Sequence, residues 1–250
     1  MSRVVMVKNV AIGEGIPKIC ASVTGAVRED ILKETRNMLQ APVNLVEWRV
    51  DFFEAHKESD RVKEMLCEMR KILGDIPLLF TFRSKNEGGE ADLPFDQYAQ
   101  LNLTVAEEKL ADLIDVELFY KEDQIPGLVK EIQKRGTLVV MSNHDFHKTP
   151  EKEEIILRLM KMQQLGADIL KIAVMPQDEK DVLTLLEATN EMRRLEQPVV
   201  TMSMGKTGSV SRIAGEVFGS AITFGTVGKA SAPGQIPAHA LKEVLGLLHG

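Results

Sequence analysis

Cysteine is scarce in this sequence, with two residues among 250. Cys20 lies in an apolar, strand-like run, and Cys67 lies in a segment with helical spacing. Neither belongs to a Cys-x-x-Cys or Cys/His cluster, which argues against a zinc site and against a redox motif. A chain of this length can bury a large core without disulfide or metal crosslinks. The low cysteine count is typical of proteins in a reducing cytoplasm.

Long apolar runs and clusters of basic residues are also missing. The N-terminal apolar stretch Val4–Val7 is too short for the core of a signal peptide, and no stretch approaches the roughly 20 apolar residues that span a bilayer. The formal net charge is −6 and no basic run stands out, so nothing indicates binding to nucleic acid. We therefore expect a soluble cytoplasmic protein with neither a membrane nor a nucleic-acid partner.

The sequence does contain a series of short apolar segments, rich in Val, Ile, Leu and Phe and without regular polar alternation. Such segments are typical of strands that are buried on both faces. Segments with helical spacing lie between them, for example Asp60–Leu73 and Val182–Leu195. Strand–helix units of this number in roughly 230 residues predict a closed parallel (β/α)8 barrel. The predicted strands are Lys18–Gly25, Leu45–Phe53, Pro77–Arg83, Leu113–Leu118, Leu138–Asp145, Ile169–Met175, Pro198–Gly205 and Ile222–Gly228.

A doubly wound open sheet is the alternative fold, although it more often has fewer strands at this length. No low-complexity stretch or long linker marks a domain boundary, so we expect a single catalytic barrel domain over residues 1–250. Met1–Pro17 precedes the first strand–helix unit. We interpret it as a small hairpin that closes one end of the barrel.

Polar residues collect near the ends of the predicted strands, which is where barrels of this kind carry their active sites. In the second strand Glu47, Arg49 and Asp51 lie two residues apart, so all three point to one face, the barrel interior. Many acids and arginines fit a polar, hydroxylated, anionic substrate; the alternative is an internal salt-bridge network that only holds the barrel together. The polar residues within, at the end of or after strands three to seven are Arg83, Glu87, Asp115, Glu117, Ser142, Asn143, His144, Asp145, Lys171, Ser203 and Arg212.

Lys171 is the most informative single residue. It lies within the apolar strand Ile169–Val174, where burial would disfavour the charged ammonium. A neutral amine can attack a ketone or an aldehyde and form an imine. The alternative interpretation is a structural lysine that pairs with Glu47 or Glu117.

His144 ends the strand that precedes the strand of Lys171, so the two side chains are predicted to meet at the mouth of the barrel. Histidine titrates near neutrality, which suits it to take up and return one proton. Glu87, just after the third strand, is placed to accept a hydrogen bond from the other ring nitrogen and to fix the tautomer.

Two other features of the sequence, a pair of histidines and a loop after the eighth strand, say less about function. His144 and His147 could suggest a metal ligand pair, but no further histidine or cysteine lies at a supporting position, so we expect no metal. The segment Ser231–Gln235 has Pro and Gly between hydrogen-bonding residues and follows the eighth strand, which is typical of a loop and suggests a lid.

Together the polar motifs resemble type I 3-dehydroquinate dehydratase, an enzyme family of the shikimate pathway. The resemblance covers the chain from the first predicted strand to the last helix, and six motifs in order are far more specific than any one of them. The motifs are Glu-Trp-Arg-Val-Asp at 47–51, Thr-Phe-Arg-Ser at 81–84 followed by Glu87, Ser-Asn-His-Asp at 142–145, Leu-Lys-Ile-Ala at 170–173, Met-Ser-Met-Gly at 202–205 with Arg212, and Ser-Ala-Pro-Gly-Gln at 231–235.

The resemblance implies a barrel enzyme, usually a homodimer, that needs no metal, nucleotide or other cofactor. Lys171 would form an imine with the C3 ketone of 3-dehydroquinate. His144 would remove the C2 proton and protonate the departing C1 hydroxyl, a syn elimination that gives 3-dehydroshikimate in the third step of the pathway. Glu87 would orient His144, and Arg212 would bind the carboxylate. The residues that would hold the hydroxyls and close the lid are Ser22, Glu47, Arg49, Arg83, Ser231 and Gln235.

Two other functions compete with this interpretation. A class I aldolase would share Lys171 but needs a different acid–base partner, and often a phosphate site after the last two strands. The loops there offer Arg212 and Ser231 without a clear glycine-rich cradle for phosphate. A non-catalytic barrel that binds a metabolite or protein would leave Lys171, His144 and the arginines with purely structural roles.

Overall fold

The computed structural model describes residues 4–250 and contains two sheets. The small sheet is an antiparallel hairpin of β1 (Val5–Val7) and β2 (Val10–Ile12). The strands of the large sheet are β3 (Lys18–Val23), β4 (Leu45–Arg49), β5 (Leu78–Thr81), β6 (Leu113–Glu117), β7 (Leu138–Asp145), β8 (Ile169–Val174), β9 (Val199–Ser203), β10 (Ile222–Thr226) and the short β11 (Ile236–Pro237).

The large sheet closes on itself. Strands β3 to β9 pair in parallel in sequence order, and β10 pairs in parallel with β3. The backbone N–H of Ala221, just before β10, donates to the carbonyl of Val199 at 2.8 Å, which joins β10 to β9. The predicted (β/α)8 barrel is therefore confirmed. The strand β11 lies outside the ring and pairs only with β10.

The hairpin packs under the barrel at the end where the strands begin. Val5, Val7 and Ile12 are buried in one apolar cluster with residues near the starts of the barrel strands, among them Leu45 and Leu113. The predicted N-terminal hairpin is thus confirmed for the described residues, and Met1–Arg3 lie outside them. The prediction of one domain over residues 1–250 stays a prediction.

Helices surround the barrel on its outer face, and most of them bury one apolar stripe. In α2 the buried positions follow a three- and four-residue spacing from Val62 to Leu73. Helix α6 begins after Asp178, whose side chain accepts the backbone N–H groups of Lys180 and Asp181. The helices are α1 (Arg28–Met38), α2 (Ser59–Leu73), α3 (Phe95–Glu107), α4 (Ile125–Lys134), α5 (Lys152–Gln164), α6 (Glu179–Met192), α7 (Val210–Ile213), α8 (Gly215–Phe218) and α9 (Ala238–His249).

The strand register sets the heights of the polar side chains inside the barrel. Lys171 on β8 lies beside Ser142 on β7, and His144 lies beside Ala173, two residues further along. Two residues of strand correspond to roughly 6–7 Å, so His144 stands that much closer to the mouth than Lys171. On the other side Ser22 of β3 lies beside Glu47 of β4. Among the described residues, no helix is long and apolar enough to cross a membrane.

Candidate active site

A pocket at the carboxyl ends of the barrel strands encloses about 460 Å³ of space outside the protein atoms. Apolar side chains also line it, including Phe146, Met202, Met204 and Phe224. Nine of the ten predicted site residues line it: Glu47, Arg49, Arg83, Glu87, His144, Lys171, Arg212, Ser231 and Gln235.

Ser22, the tenth predicted residue, lies directly behind the pocket wall. Its hydroxyl donates to Oε2 of Glu47 at 2.6 Å and accepts from the hydroxyl of Ser231 at 3.0 Å. Ser22 therefore joins the wall of the pocket to the segment that follows β10.

Lys171 is buried, with its side chain 5% exposed. Its Nζ lies 3.5 Å from Oε1 of Glu47, 3.6 Å from Oδ2 of Asp115, and 4.4 Å from the centre of the Phe224 ring. The predicted burial of Lys171 is thus confirmed. Of the two carboxylates considered as partners, Glu47 is correct and Glu117 is wrong, because Asp115 takes that place.

Glu47 stands next to Lys171 as an ionised carboxylate. Burial by itself would raise the pKa of Glu47, but the charges of Lys171 and Arg49 and the hydrogen bond from Ser22 outweigh it and lower the pKa to about 2. Thr81 also donates to Oε1 of Glu47, at 3.0 Å. A negative charge therefore lies beside the amine near neutral pH.

His144 and Glu87 form a buried hydrogen-bonded pair. Nδ1 of His144 lies 2.9 Å from Oε2 of Glu87, and the backbone N–H of His144 donates to the same oxygen at 2.9 Å. Burial, together with the positive charges of Arg83 and Lys171, lowers the pKa of His144 well below its usual value. The imidazole is therefore neutral near pH 7. When Nδ1–H donates to Glu87, the free lone pair is on Nε2, the atom suited to act as a base.

The pKa of Glu87 is shifted in the opposite direction to that of Glu47. Burial and the neighbouring carboxylate of Glu117 raise the pKa of Glu87 to about 8, although Arg83 and a hydrogen bond from Asn143 oppose the shift. The carboxyl group thus takes up a proton far more readily than an ordinary glutamate. Groups with displaced pKa values in a cleft are typical of functional sites.

Arg83 is tied to carboxylates on two neighbouring elements. Its guanidinium contacts Oδ1 of Asp115 at 2.8 Å, Oε1 of Glu117 at 2.8 Å and Oε2 of Glu87 at 3.3 Å, and it donates to the hydroxyl of Ser142 at 2.9 Å. The interpretation as an internal salt-bridge network therefore describes Arg83 well, although Arg83 also lines the pocket.

Arg49 is held in the same manner, because two of its nitrogens donate to the two carboxylate oxygens of Asp51 at 2.7 Å each. Asp51 lies in a short 3-10 turn that follows β4, and it also accepts the backbone N–H groups of Arg83 and Glu90. The two-residue spacing from Glu47 to Asp51 thus placed all three side chains on the interior side, as predicted.

Arg212 differs from the other two arginines. It is 1% exposed and donates to the backbone carbonyls of Phe224 at 3.3 Å and Pro233 at 3.1 Å. Within residues 4–250 no carboxylate forms an ion pair with it, and its Nε has no hydrogen-bond partner. Burial lowers the pKa of Arg212 to about 10, so it stays charged near neutrality. A buried cation that lines a pocket without a counter-charge is suited to bind an anion.

The segment Ser231–Gln235 covers one side of the pocket. The side-chain amide of Gln235 donates to the hydroxyl of Ser231 at 3.0 Å, and the backbone N–H of Ser231 donates to Oε1 of Gln235 at 2.9 Å. Gly234 has a φ of 74°, and a Cβ there would lie 2.0 Å from the carbonyl oxygen of Gly205. The segment is therefore packed closely against the end of β9, and opening and closing of a lid stays a prediction.

Asp115, Asn143 and Phe224 belong to the site, although the sequence alone did not assign them a role. Asp115 faces inward two residues before Glu117, so the same alternation that identified Glu47 and Arg49 could have found it. Asn143 was recognised only as part of a motif, although its amide donates to Oε1 of Glu87 at 3.0 Å. Phe224, an apolar residue in an apolar strand, gave no signal.

Comparisons with known proteins give a consistent result. The sequence profile of the family described as Type I 3-dehydroquinase matches residues 19–250. The chain is 53% identical to the 3-dehydroquinate dehydratase of Clostridioides difficile strain 630, over 100% of this chain and 98% of the relative. It is 54% identical to the 3-dehydroquinate dehydratase of Listeria monocytogenes serotype 4a, with 98% of each chain covered.

One solved structure is similar to this chain in both fold and sequence. It is a crystal structure at 1.95 Å of the type I 3-dehydroquinate dehydratase of Clostridium difficile with covalently modified comenic acid. Its TM-score to this chain is 0.97 at 53% identity, over 100% of this chain and 99% of the other.

Proposed function

The chain belongs to the type I 3-dehydroquinase family and is a hydro-lyase, and from this premise we propose that it dehydrates 3-dehydroquinate to 3-dehydroshikimate through an imine on Lys171. The single observation that carries the mechanism is the pocket in which a buried Lys171, a neutral His144 and an unpaired Arg212 lie together. The reaction is the third step of the shikimate pathway in this proposal.

The imine forms when Nζ of Lys171 attacks the C3 ketone of the substrate and the ketone oxygen leaves as water. Attack needs the free amine, and the bond that forms ends as a cationic iminium. Glu47 and Asp115 lie 3.5 and 3.6 Å from Nζ, where their negative charges stabilise that cation.

Elimination then follows in two proton transfers. The iminium withdraws electrons from C2, and Nε2 of His144 removes the C2 proton to leave an enamine. The resulting imidazolium gives its proton to the C1 hydroxyl, which departs as water, and hydrolysis of the product imine restores Lys171. Glu87 accepts the Nδ1–H and so keeps Nε2 of His144 directed toward the substrate.

The remaining polar residues bind the substrate in this proposal. Arg212 binds the carboxylate, because a planar guanidinium without a protein counter-charge can donate to both carboxylate oxygens. Arg49 and Arg83 are already paired and therefore offer the pocket a fixed, largely satisfied polar wall. The groups that hold hydroxyls and cover the substrate are Ser22, Glu47, Arg49, Arg83, Ser231 and Gln235.

The crystal structure of the C. difficile relative contains covalently modified comenic acid, which supports a covalent mechanism for this chain. An aldolase, the competing imine-forming enzyme, is set aside because the whole-length relatives are 3-dehydroquinate dehydratases.

Reduction of the imine tests the proposal directly. Borohydride added with 3-dehydroquinate should leave one stable adduct, and peptide mass spectrometry should place it on Lys171. The Lys171→Met variant should carry no adduct and form no conjugated product by absorbance. An adduct on another residue, or product formed by Lys171→Met at the wild-type rate, would contradict the mechanism.

A homodimer, a cytoplasmic location and activity without metal or other cofactor stay predictions from the resemblance. Size-exclusion chromatography with light scattering tests the dimer. Product formation should continue at an unchanged rate in excess chelator, and a loss of activity that added metal restores would contradict the prediction of a metal-free mechanism.

A further inference from the structure

A chain of hydrogen bonds connects the pocket to an outer helix. Oε1 of Glu87 accepts from the side-chain amide nitrogen of Asn143 at 3.0 Å. Oδ1 of Asn143 accepts from Nη1 of Arg158 at 2.8 Å. Arg158 lies in the middle of α5, outside the barrel, and does not line the pocket. A residue on the outer layer is therefore two hydrogen bonds away from the carboxylate that orients His144.

The chemistry of the partners fixes the orientation of the amide of Asn143. A guanidinium has only donors, so the carbonyl oxygen of the amide must face Arg158. The amide NH2 is then obliged to face Glu87 and to donate to it. Asn143 is itself 5% exposed, so water has little access to compete for either group.

Arg158 is also held in place on its other sides. Its Nε donates to Oε1 of Glu154 at 2.8 Å, and its guanidinium lies 5.5 Å from the centre of the Phe119 ring. Its side chain is 18% exposed, which is less than is usual for an arginine on a surface helix. These contacts give Arg158 one position from which to donate to Asn143.

We propose that Arg158 and Asn143 are positioning residues, which hold Glu87 and through it the ring of His144 in the orientation needed for proton transfer. This inference rests on the proposed function. Without the donor of Arg158, the amide of Asn143 can rotate, and its hydrogen bond to Oε1 of Glu87 is no longer enforced. The groups that would still face Glu87 are Arg83 from the loop after β5, Glu117 from β6 and the backbone and ring of His144 from β7.

Steady-state kinetics of Arg158→Met tests the proposal. We expect kcat to fall about five- to tenfold, the range for a lost hydrogen bond that acts on a proton transfer, with KM changed less than twofold. Trapping of the imine with borohydride should proceed as in the wild type, because Lys171 and the substrate contacts remain. Arg158→Lys keeps a donor-only side chain and should retain most of the wild-type kcat.

Arg135→Met is the matched control. Arg135 is another partly buried arginine of the outer layer, paired with Glu107 and Glu131 at 2.7 and 3.0 Å, and it lies away from the pocket. This variant should keep the wild-type kcat, and thermal unfolding of both variants reports whether each folds.

The outcomes separate this inference from the proposed function. If Arg158→Met and Arg135→Met have the same kcat, or if Arg158→Lys loses as much activity as Arg158→Met, the positioning role is wrong while the dehydratase mechanism stands. If the wild-type protein forms neither adduct nor product, the proposed function itself is wrong.

Discussion

His144 is the residue whose role depends most on its surroundings. Burial keeps the imidazole neutral, and the hydrogen bond to Glu87 occupies Nδ1, so that Nε2 is the nitrogen left to act as the base in the proposed mechanism. Lys171 has different neighbours, because the carboxylates of Glu47 and Asp115 lie 3.5 and 3.6 Å from its amine. In the proposed mechanism, the same surroundings prepare His144 to accept a proton and Lys171 to carry a cationic intermediate.

Replacement of His144 should separate imine formation from elimination. His144→Ala removes the base but leaves Lys171 and its two carboxylates unchanged. We expect kcat to fall about 10²- to 10⁴-fold, the usual contribution of a general base, while borohydride still traps substrate on Lys171. Rate measurements check the fall in kcat, and mass spectrometry checks the adduct on Lys171. Near-normal turnover would show that His144 is not the base.

Replacement of Arg212 should act on substrate binding. Arg212→Met removes an unpaired buried cation, and we expect KM for 3-dehydroquinate to rise about 10- to 100-fold because a charge-assisted hydrogen bond to the carboxylate is lost. Arg212→Lys should be intermediate, since it keeps the charge but not the planar pair of donors. A KM equal to that of the wild type in Arg212→Met would contradict its role as the carboxylate ligand.

At the scale of elements, strand register and loop packing decide what the site can do. The register of β7 and β8 places His144 nearer the mouth of the barrel than Lys171, so the two side chains reach the pocket from different heights. The loop after β10 then covers the pocket, where Ser231 contacts Ser22 and the carbonyl of Pro233 accepts from both Arg212 and the backbone of Gly205. Strands supply the reacting groups, and the loop contributes to their enclosure.

The close packing of this loop predicts the effect of Gly234→Ala. The new Cβ would meet the carbonyl oxygen of Gly205 at 2.0 Å, so the loop has to move away from the pocket. We expect kcat/KM to fall about tenfold or more, because closure that positions the substrate is impaired, with little change in the midpoint of thermal unfolding.

Gly228→Ala is the control for this prediction. Gly228 also has a positive φ, 92°, but nothing lies within 4 Å of its Cβ position. This variant carries the backbone strain of a left-handed alanine, about 1–2 kcal/mol, without the clash. Equal losses of kcat/KM in the two variants would show that strain, rather than displacement of the loop, is responsible.

At the scale of the whole molecule, the charged cluster inside the barrel makes stability depend on pH. The pKa of Glu87 is raised from 4.5 to about 8, so its contribution to the free energy of unfolding is fully present below pH 4.5 and is lost as the pH rises through 8. The pKa of Glu47 is lowered from 4.5 to about 2, so its contribution is present above pH 4.5 and is lost as the pH falls through 2.

Urea unfolding of Glu87→Gln against the wild type tests this dependence. Glutamine resembles the protonated acid and does not titrate, so the variant should gain stability relative to the wild type between pH 5 and pH 9. Glu47→Gln should behave in the opposite sense, with its deficit relative to the wild type shrinking as the pH falls below 4.5. A difference between Glu87→Gln and the wild type that stays constant with pH would show that the pKa of Glu87 is not raised.

Much of the fold and site could be predicted from sequence because the features involved are local or periodic. Unbroken apolar runs reveal strands buried on both faces, and a lysine or an alternating row of charges within such a run is conspicuous. The ends of elements were less well predicted: the pattern Val182–Leu195 corresponds to a helix of Glu179–Met192, since the cap of Asp178 sets where it begins. Asp115 and Asn143 were seen as polar residues but not as partners of Lys171 and Glu87.

The sequence by itself determined the barrel, the interior direction of its polar side chains and the set of residues that the family motifs contain. Only the tertiary structure decided which charge meets which: that Asp115 rather than Glu117 faces Lys171, that Arg83 and Arg49 are paired while Arg212 is not, and that Arg158 reaches Asn143. The physical reason is that strand alternation follows from a period of two residues, whereas pairing depends on the register and closure of strands far apart in the chain, where differences of about an ångström select the partner.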